Sequence, residues 1–371
     1  MRIAINCRSF LTTQYAGIGR YAYNLVQNLQ AIDQRNEYLL YAKRRPFDQK
    51  RRLPQVSASN FHVRPDRFGR GLGKTLGTID LYHSPSPDKL DIACNKIIVT
   101  VHDLVYKTYP QGHTSSALQE TEKLFEELTQ KAAKIICCSE NTRADLYKYF
   151  PLSKDKTCVI HQGVDKNEFY PISKEEEELA RQRIKSFGVD VPFLLFVGTL
   201  EPRKNLENLI RAFALLKSKK AFEGKLLCVG MKGWMSEGIF ELTERLNLKN
   251  EVLFLGHLPN QDLRSLYNLA QAFVFPSFYE GFGFPLVEAF SCGAAVITSN
   301  VSSCPEVAEE AALKIDPYKS EDIADAIERV LGDQMLRGTL KEKALKRAQD
   351  FSFLKTAQET LKVYEEIGSL K

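Results

Sequence analysis

Short apolar runs alternate along this chain with amphipathic stretches, and this alternation constrains the fold more than any other feature. In the first half the apolar runs predict strands, and longer amphipathic stretches between them predict helices, for example at residues 19–31 and 117–131. The predicted strands are residues 2–6, 38–41, 81–83, 97–102, 134–138 and 158–161. Repeated strand–helix units of this kind predict parallel sheets with helices on both faces.

The alternation stops in a linker-like stretch at residues 162–171 and then restarts. Residues 192–198 are an apolar run that ends in glycine, as buried parallel strands do, and residues 205–218 read as a helix. Further strands are predicted at residues 225–229, 252–255, 272–276 and 295–298. The sequence therefore predicts an α/β protein of two doubly wound domains facing each other across a cleft. We place them at residues 1–165 and 166–350, followed by an amphipathic helix over 351–371 that could pack on either.

Composition excludes several classes of protein. A chain of 371 residues suits two domains, and 44% hydrophobic with 26% charged residues is typical of a soluble globular protein. No apolar run approaches the roughly 20 residues of a membrane span, and the apolar run after Met1 is too short for a signal peptide. The eight cysteines have no metal-ligand spacing and read as reduced thiols. We therefore expect a cytoplasmic protein.

Positive charge is concentrated in the first half. Residues 1–165 contain 24 Lys and Arg against 16 Asp and Glu, a net charge of +8, whereas the remainder contains 27 against 30, a net charge of −3. Ten cations lie in one segment: Lys43, Arg44, Arg45, Lys50, Arg51, Arg52, Arg64, Arg67, Arg70 and Lys74. This segment reads either as a solvated loop surface or as an attractor for an anionic membrane face or acceptor. Nucleic acid is not expected as a partner, because no nucleic-acid-binding module accompanies the charge.

A glycine-rich segment between Glu280 and Glu288 points most directly to function. It follows the strand at 272–276 and leads into a helix that we expect to begin on Pro285. The first amides of a helix lack partners within the helix, and the helix dipole favours negative charge, so this turn predicts an anion site. Glu288, expected in the first turn, would repel a phosphate. We therefore expect it to accept hydrogen bonds from hydroxyl groups such as those of a ribose.

Two adjacent cations, Arg203 and Lys204, follow the strand at 192–198. Ligands of doubly wound sheets bind outside the carboxyl ends of the strands, so both side chains are expected at the ligand site. Adjacent cations repel unless an anion lies between them, which favours binding of a diphosphate. The alternative is that both residues are the solvated start of a helix.

The first half contributes weaker candidates. Gly17 and Gly19 follow the first strand and open a helix, where a bare backbone lets a phosphate or a sugar approach closely. They do not complete the dinucleotide fingerprint, so a nicotinamide enzyme is not supported. His102 closes a strand and could position a sugar hydroxyl, with Asp103 holding its tautomer or meeting the acceptor, although a structural histidine is the alternative.

Metal and cofactor chemistry is not predicted. The sequence has no Asp-x-Asp pair and no clustered His and Cys residues, so we expect no metal and no cofactor. Two basic residues and a helix amino terminus can neutralise a diphosphate instead. His83, His161 and His257 also close strand-like runs and are expected to line the cleft.

In combination these motifs resemble the retaining glycosyltransferases of family four, whose GT-B fold has two Rossmann-like domains. The resemblance covers nearly the whole chain. Its marks are the Glu280-x7-Glu288 motif, the segment 198–205, the Gly17-x-Gly19 turn and Gly163-Val-Asp165. Residues 101–104, followed by Tyr109-Pro110, resemble bacterial mannosyltransferases of that family.

The resemblance implies a role for each matching residue. Arg203 and Lys204 would hold the donor diphosphate and stabilise the leaving group, Glu288 would bind the donor ribose, and Glu280 would meet sugar hydroxyls near the anomeric carbon. His102 would contact the donor sugar. The implied catalytic residues are Glu280, His102, Arg203 and Lys204. The implied donor-binding residues are Gly17, Gly19, Thr199, Arg203, Lys204, Leu258, Gly281, Phe282, Gly283, Phe284 and Glu288. Residues 166–350 would bind the donor, 1–165 would form the acceptor side, and helix 351–371 would pack back on the latter.

The reaction implied is transfer of a sugar from a nucleoside diphosphate to a hydroxyl of a glycan or lipid-linked acceptor, with retained configuration. We expect mannose from GDP-mannose, without a metal, and a UDP-sugar stays open as donor. A front-face mechanism needs no nucleophile on the protein. A double displacement needs a carboxylate close to the anomeric carbon, and Glu280 is the nearest candidate that the motif offers.

The alternative functions are a sugar-nucleotide 2-epimerase of the same fold, a non-catalytic sugar- or nucleotide-binding module, and a peripheral membrane structural protein. The expected location is cytoplasmic, with peripheral contact to the inner face of the membrane as an option.

Overall fold

The chain folds into two compact units. The computed structural model describes residues 1–12, 17–48, 50–112 and 114–370, so Lys371, the end of the predicted C-terminal helix, lies outside the described residues. Unit 1 comprises Met1–Gly163 and Ser352–Lys371, and unit 2 comprises Val164–Phe351. Among the described residues, no helix combines the length and the apolar character needed to cross a membrane.

Unit 1 is built on a sheet of parallel strands. Within its described residues the order is β3-β2-β1-β4-β5-β6-β7. The strands are β1 (Arg2–Asn6), β2 (Glu37–Lys43), β3 (Phe61–Asp66), β4 (Leu81–Ser84), β5 (Ile97–Val101), β6 (Lys134–Cys137) and β7 (Thr157–Val159). The helices are α1 (Gly17–Ile32), α2 (Gly71–Leu76), α3 (Val105–Thr108), α4 (Ser115–Lys131) and α5 (Glu140–Tyr149).

Unit 2 repeats this topology. Its parallel strands run in the order β10-β9-β8-β11-β12-β13 among the residues described. The strands are β8 (Phe193–Val197), β9 (Lys225–Val229), β10 (Val252–Gly256), β11 (Ala272–Phe275), β12 (Val296–Ser299) and β13 (Ala312–Ile315). The helices are α6 (Lys174–Ser186), α7 (Leu206–Ser218), α8 (Glu237–Arg245), α9 (Asn260–Leu269), α10 (Phe284–Ser291), α11 (Cys304–Ala308), α12 (Ser320–Gly332) and α13 (Gln334–Arg347).

Both sheets are doubly wound, as predicted. Each begins at a central strand, runs to one edge, and then crosses to the other side, so the strand order reverses between β1 and β4 and between β8 and β11. The crevice outside the carboxyl ends of the strands at such a reversal is where ligands of this architecture bind. In unit 2 this point lies between the loops that follow β8 and β11.

The last helix, α14 (Phe353–Ser369), belongs to unit 1. Tyr364 of this helix hydrogen-bonds His83 on β4, and Thr356 Oγ1 donates to the carbonyl of His161. The chain therefore returns to its first unit after completing the second.

Two helix starts differ from the prediction. Helix α10 begins at Phe284 rather than at Pro285, because Gly283 takes a left-handed conformation (φ 101°) and acts as the N-cap. Helix α1 begins at Gly17 rather than at Gly19. Strands β3 and β13, at the edges of the two sheets, were not predicted.

Candidate functional site

The loops after β8 and β11 are tied together at the strand-order reversal of unit 2. The main-chain N–H of Phe278 donates to the carbonyl of Arg203 at 2.9 Å, and the side-chain amide of Asn205 donates to the carbonyl of Pro276 at 2.9 Å. Asn205 takes a left-handed φ of 59°, which joins a 3-10 turn at Pro202–Lys204 to α7. These contacts fix Arg203 and Lys204 beside the segment that contains Glu280.

Both cations converge on the carboxylate of Glu280. Lys204 Nζ donates to Oε1 at 2.6 Å, and Arg203 Nη1 donates to Oε2 at 3.2 Å. Arg203 also donates to the carbonyl of Tyr279 at 2.7 Å and forms an ion pair with Glu201. Lys204 and Glu280 are 8% and 6% exposed, so the network is buried. The structure thus brings together the two predicted cations and the first predicted glutamate.

Burial and charge act in opposite directions on this pair. Burial alone would raise the pKa of Glu280, but Lys204 and Arg203 outweigh it and hold that pKa below its usual value of 4.5. Burial lowers the pKa of Lys204, and Arg203 adds to this effect while Glu280 opposes it. Glu280 is therefore an ionised counter-ion for two cations near neutral pH.

The backbone at Glu280 is held by hydroxyl groups from the loop after β12. Ser302 Oγ accepts from the Glu280 N–H at 2.9 Å and lies 2.6 Å from its carbonyl oxygen. Ser303 Oγ lies 3.0 Å from the same carbonyl and 3.1 Å from that of Phe282. Helix α10 then begins with no acidic residue in its first turn and no side-chain cap. Its amino end, where the dipole favours anions, follows directly on the Glu280 network.

Glu288 lies in the second turn of α10, which corrects its predicted place in the first turn, because the helix begins at Phe284. The carboxylate is buried, and its Oε2 accepts a hydrogen bond from the hydroxyl of Tyr267 at 2.9 Å. Tyr267 belongs to α9 and was not foreseen as part of the site. A buried carboxylate oriented by a hydroxyl group is chemically suited to accept hydrogen bonds from further hydroxyls.

The other donor-binding candidates of unit 2 differ in exposure. Thr199 is exposed, and Leu258 is half-buried in the loop after β10. Gly281 and Gly283 are buried, and Phe284 is half-buried. The ring of Phe282 packs edge-on against Phe284 and Phe351, with centroids at 5.9 and 5.7 Å, so this ring is part of the unit's packing.

His102 lies in unit 1, buried at the end of β5, with both ring nitrogens engaged. Nε2 donates to the carbonyl of Pro85 at 2.7 Å, which leaves Nδ1 to accept from the side-chain amide of Gln162 at 2.7 Å. Burial lowers its pKa, opposed by the bond to Pro85, so the ring is neutral. The tautomer is set by Pro85 and not, as expected, by Asp103, whose carboxylate accepts from the N–H of Val105.

Helix α1 contacts His102. Tyr21, in the same helix as Gly17 and Gly19, contacts the ring of His102 edge-on at 5.0 Å. His83 does not line a surface as expected. It is fully buried, with Nδ1 2.6 Å from Tyr364 Oη and Nε2 2.9 Å from Thr100 Oγ1. Its role is structural.

Several site residues had little signal in the sequence. Glu201 lies within the segment 198–205 but was not assigned a role, although a carboxylate two residues before Arg203 could have suggested an ion pair. Ser302 and Ser303 follow β12, and their position at the carboxyl end of a strand was the available signal. Tyr267 and Gln162 had none. Within the described residues, no group of three or more His, Cys, Asp or Glu is arranged to hold a metal ion.

Two family models match the chain. The model described as "Glycosyltransferase Family 4" matches residues 15–168, and the model described as "Glycosyl transferases group 1" matches residues 179–347. The two matches fall one in each half of the chain.

Curated relatives and solved structures agree with these models. O-antigen chain mannosyltransferase B of Escherichia coli is 30% identical over 376 residues, covering 94% of this chain and 96% of the relative. Serotype-specific mannosyltransferase WbdA of Escherichia coli is 33% identical over 230 residues, covering 62% of this chain and 28% of that longer protein. Sucrose-phosphate synthase from Thermosynechococcus elongatus has the same fold, with a TM-score of 0.79 at 23% identity, covering 99% of this chain and 98% of that one.

Proposed function

This chain belongs to glycosyltransferase family 4 and is a glycosyltransferase of the GT-B fold, and we propose that it transfers mannose from GDP-mannose to a hydroxyl of a glycan or lipid-linked acceptor, with retained anomeric configuration. Mannose is favoured because relatives named as mannosyltransferases match the chain at 30% and 33% identity. The name of the first relative, an O-antigen chain enzyme, supports an acceptor used in surface polysaccharide synthesis.

The buried network of Arg203, Lys204 and Glu280 carries this proposal. Two cations are held at the strand-order reversal of unit 2, directly before the amino end of α10. A diphosphate at this place meets both cations and the positive end of the helix dipole, and low exposure strengthens each interaction. Glu288, which accepts a hydrogen bond from Tyr267, would also accept hydrogen bonds from the ribose hydroxyls of the same nucleotide.

The chemistry requires stabilisation of the leaving group. The bond between the anomeric carbon and the phosphate oxygen breaks, and negative charge grows on the departing diphosphate next to Arg203 and Lys204. A bond forms between the anomeric carbon and the acceptor oxygen, and the acceptor proton passes to the leaving phosphate oxygen on the same face. In this scheme Glu280 is the counter-ion that positions both cations. Because the chain supplies two cations itself, we propose that turnover needs no divalent metal, and chelation by EDTA is expected to leave it unchanged.

The first test is a thermal-shift screen of GDP-, UDP- and ADP-sugars, since a ligand of the native state raises the melting temperature. GDP-mannose is expected to give the largest shift. Product analysis with candidate acceptors then checks transfer and anomeric configuration. Turnover of the donor to an epimer in the absence of any acceptor would contradict the transferase reaction proposed for this site.

Lys204→Met tests the diphosphate role, with Lys217→Met as a matched control. Lys217 lies in the same unit and pairs with Glu251 at 2.9 Å, away from the site. Removing one preorganised charge from a leaving-group site is expected to lower kcat by roughly 100-fold or more. The control should turn over as the wild type does. Equal activity of the two variants, at a temperature where both are folded, would refute the assignment.

A further inference from the structure

Two loops of unit 1 emerge side by side at the edge of its sheet. Strands β2 and β3 are paired along their length, with Lys43 opposite Asp66, so both end at the same level. The N–H of Arg44 donates to the carbonyl of Asp66 at 3.1 Å and continues the pairing one step into the loops. The segments after Lys43 and after Asp66 therefore present their side chains on neighbouring stretches of surface.

Both loops are anchored. The buried carboxylate of Asp66 accepts from the hydroxyl of Tyr41 at 2.9 Å and from the N–H groups of Arg70 and Gly71 at 2.8 and 3.2 Å, which fixes the second loop. Burial opposes the charge on Asp66, but these hydrogen bonds lower its pKa below the usual value. In the first loop, the guanidinium of Arg51 donates to the carbonyl of Lys43 at 2.8 Å.

An exposed phenylalanine lies on each loop. Phe47 is 98% exposed and Phe68 is 74% exposed, whereas a large aromatic side chain is ordinarily buried. The guanidinium of Arg70 lies 5.6 Å from the centre of the Phe68 ring. Two rings held in water on neighbouring anchored loops cost free energy unless a partner covers them.

Positive charge predominates in the segment that contains these rings. Residues 43–74 contain ten Lys and Arg against two acidic residues, a net charge of +8, whereas the entire chain has only +5. Both acids are engaged, because Asp66 is buried in its hydrogen bonds and Asp48 lies 3.7 Å from Arg51. The exposed cations are Arg45, Lys50, Arg52, Arg67, Arg70 and Lys74.

We propose that these six cations, together with Phe47 and Phe68, form a surface that docks on an anionic lipid bilayer. We call it the basic loop surface. Aromatic rings partition into the boundary between headgroups and acyl chains, while Lys and Arg are attracted to anionic headgroups, each by about 1 kcal/mol near the surface. The combination favours a bilayer over a protein partner, because the two exposed rings belong to a segment in which positive charge predominates. Binding here is independent of the donor and of sugar transfer.

The test uses the full chain and vesicle sedimentation. Vesicles of phosphatidylglycerol with phosphatidylcholine are compared with vesicles of phosphatidylcholine alone. The wild type is expected to bind the anionic vesicles and to be released at high salt, because screening shortens the range of the attraction. Absence of binding to the anionic vesicles, or equal binding to both kinds, would overturn the proposal.

Two variants separate the rings from the charges. Phe47→Ser with Phe68→Ser is expected to weaken binding by roughly tenfold for each ring, as expected for loss of even partial insertion of an aromatic side chain. Arg45→Ala, Lys50→Ala and Arg52→Ala together are expected to weaken it by roughly fivefold for each cation, the equivalent of about 1 kcal/mol. All five side chains are exposed, so the fold should be retained, and an unchanged melting temperature checks this.

Matched controls lie elsewhere on the chain. Leu152 is 72% exposed in unit 1 outside these loops, so Leu152→Ser controls for the loss of an exposed apolar side chain. Lys123→Ala, Lys154→Ala and Lys185→Ala together control for the loss of three exposed charges. Both controls should bind as the wild type does. If the controls lose as much affinity as the loop variants, or if the loop variants bind unchanged, the basic loop surface is not the docking site. Capture of a soluble anionic glycan without vesicle binding would equally overturn it.

Discussion

Glu280 connects the two cations on which the proposed chemistry depends. Its carboxylate is buried and meets Lys204 on one oxygen and Arg203 on the other. A carboxylate placed in this way offsets the repulsion between the adjacent cations. It also fixes the direction of each cation, and a donor bound as proposed would meet groups that are already oriented.

A double-mutant cycle at Glu280 and Lys204 should reveal strong coupling. Glu280→Gln leaves Lys204 buried without its closest counter-charge, and Lys204→Met leaves the carboxylate with Arg203 alone, so each is expected to cost about 3 kcal/mol of unfolding free energy. The double variant should cost clearly less than the sum, because neither charge is then stranded. Urea denaturation measures all four proteins. The half-exposed pair of Lys217 and Glu251 serves as the comparison and is expected to couple by less than about 1 kcal/mol. Equal coupling at both pairs would contradict the role of burial.

Much of this site could be predicted from sequence, and the remainder could not, for a physical reason. Arg203, Lys204 and Glu280 each follow an apolar run that predicts a strand, so the carboxyl-end rule places them together. Tyr267 reaches Glu288 from a different helix, and no local pattern reports such a contact. Glu201 was overlooked because the motif points only to the cations, whereas adjacent cations also need carboxylates that balance their charge.

At the scale of elements, α14 is held to unit 1 by a buried network of side-chain hydrogen bonds. Tyr364 bonds His83 Nδ1, while Nε2 of the same ring bonds Thr100. Thr100 Oγ1 lies 3.1 Å from the hydroxyl of Tyr21, so this hydrogen-bond network links α14, β4, β5 and α1. Such a network favours a neutral imidazole at His83, because the charge of an added proton would be buried without a counter-charge.

Stability should therefore fall as the pH drops through the weakly acidic range. Burial lowers the pKa of His83 from 6.5 to about 3, with the nearby ring of His102 acting in the same direction. Between these two values the unfolded chain binds a proton that the folded chain does not. The contribution of His83 to the unfolding free energy should thus decrease by roughly 1.4 kcal/mol for each pH unit between these two pKa values. It is fully present only above the pKa of the unfolded state.

Denaturation of the wild type and of His83→Gln at several pH values measures how steeply the unfolding free energy of each protein depends on pH. If the unfolding free energy of His83→Gln falls with pH as steeply as that of the wild type, His83 is not the cause. His62→Gln, on the partly exposed edge strand β3, is the control.

Gly163 permits the crossing of two chain segments where α14 begins. A β-carbon at Gly163 would lie 2.1 Å from the N of Phe353 and 2.2 Å from the carbonyl carbon of Ser352, both backbone atoms. Gly163→Ala must therefore displace the start of α14 and is expected to cost about 1–3 kcal/mol. Gly338→Ala is the matched control: it lies within α13 with no atom within 4 Å of the added carbon and should stabilise by about 0.5–1 kcal/mol. Thermal unfolding of both variants measures these changes in stability. If Gly163→Ala leaves the stability unchanged, the crossing has more space than the structure indicates.

The strands in the middle of each sheet were predicted, whereas one edge strand of each sheet, β3 and β13, was not. Central strands such as β8 are continuous apolar runs because both faces are covered. Strand β3 contains Arg64, Pro65 and Asp66, which an edge strand tolerates because one side of its backbone is unpaired. Such residues resemble a loop in sequence. The start of α10 was misplaced by one residue because the left-handed conformation of Gly283 cannot be read from its identity alone.

At the scale of the whole molecule, charge divides between the two units. Unit 1 has 27 Lys and Arg against 18 Asp and Glu, a net charge of +9, whereas unit 2 has 24 against 28, a net charge of −4. A unit of net negative charge that binds a nucleoside diphosphate needs local cations to overcome its overall field. This requirement explains why the cations of the proposed donor site are buried and paired rather than spread over the surface.

The only tryptophan of the sequence, Trp234, allows donor binding to be followed in unit 2 alone. It follows β9 beside the loop of Thr199, because the N–H of Gly233 donates to the carbonyl of Leu200 at 3.0 Å. GDP-mannose at about 100 times its dissociation constant should add about 2.7 kcal/mol to the unit that binds it. The unfolding transition reported by tryptophan fluorescence should therefore move to higher temperature with the donor, and Lys204→Met should abolish the shift while Lys217→Met retains it. If the donor left the tryptophan transition in place but raised a transition seen by circular dichroism, the donor site would lie in unit 1, and the assignment of Arg203 and Lys204 to the diphosphate would be wrong.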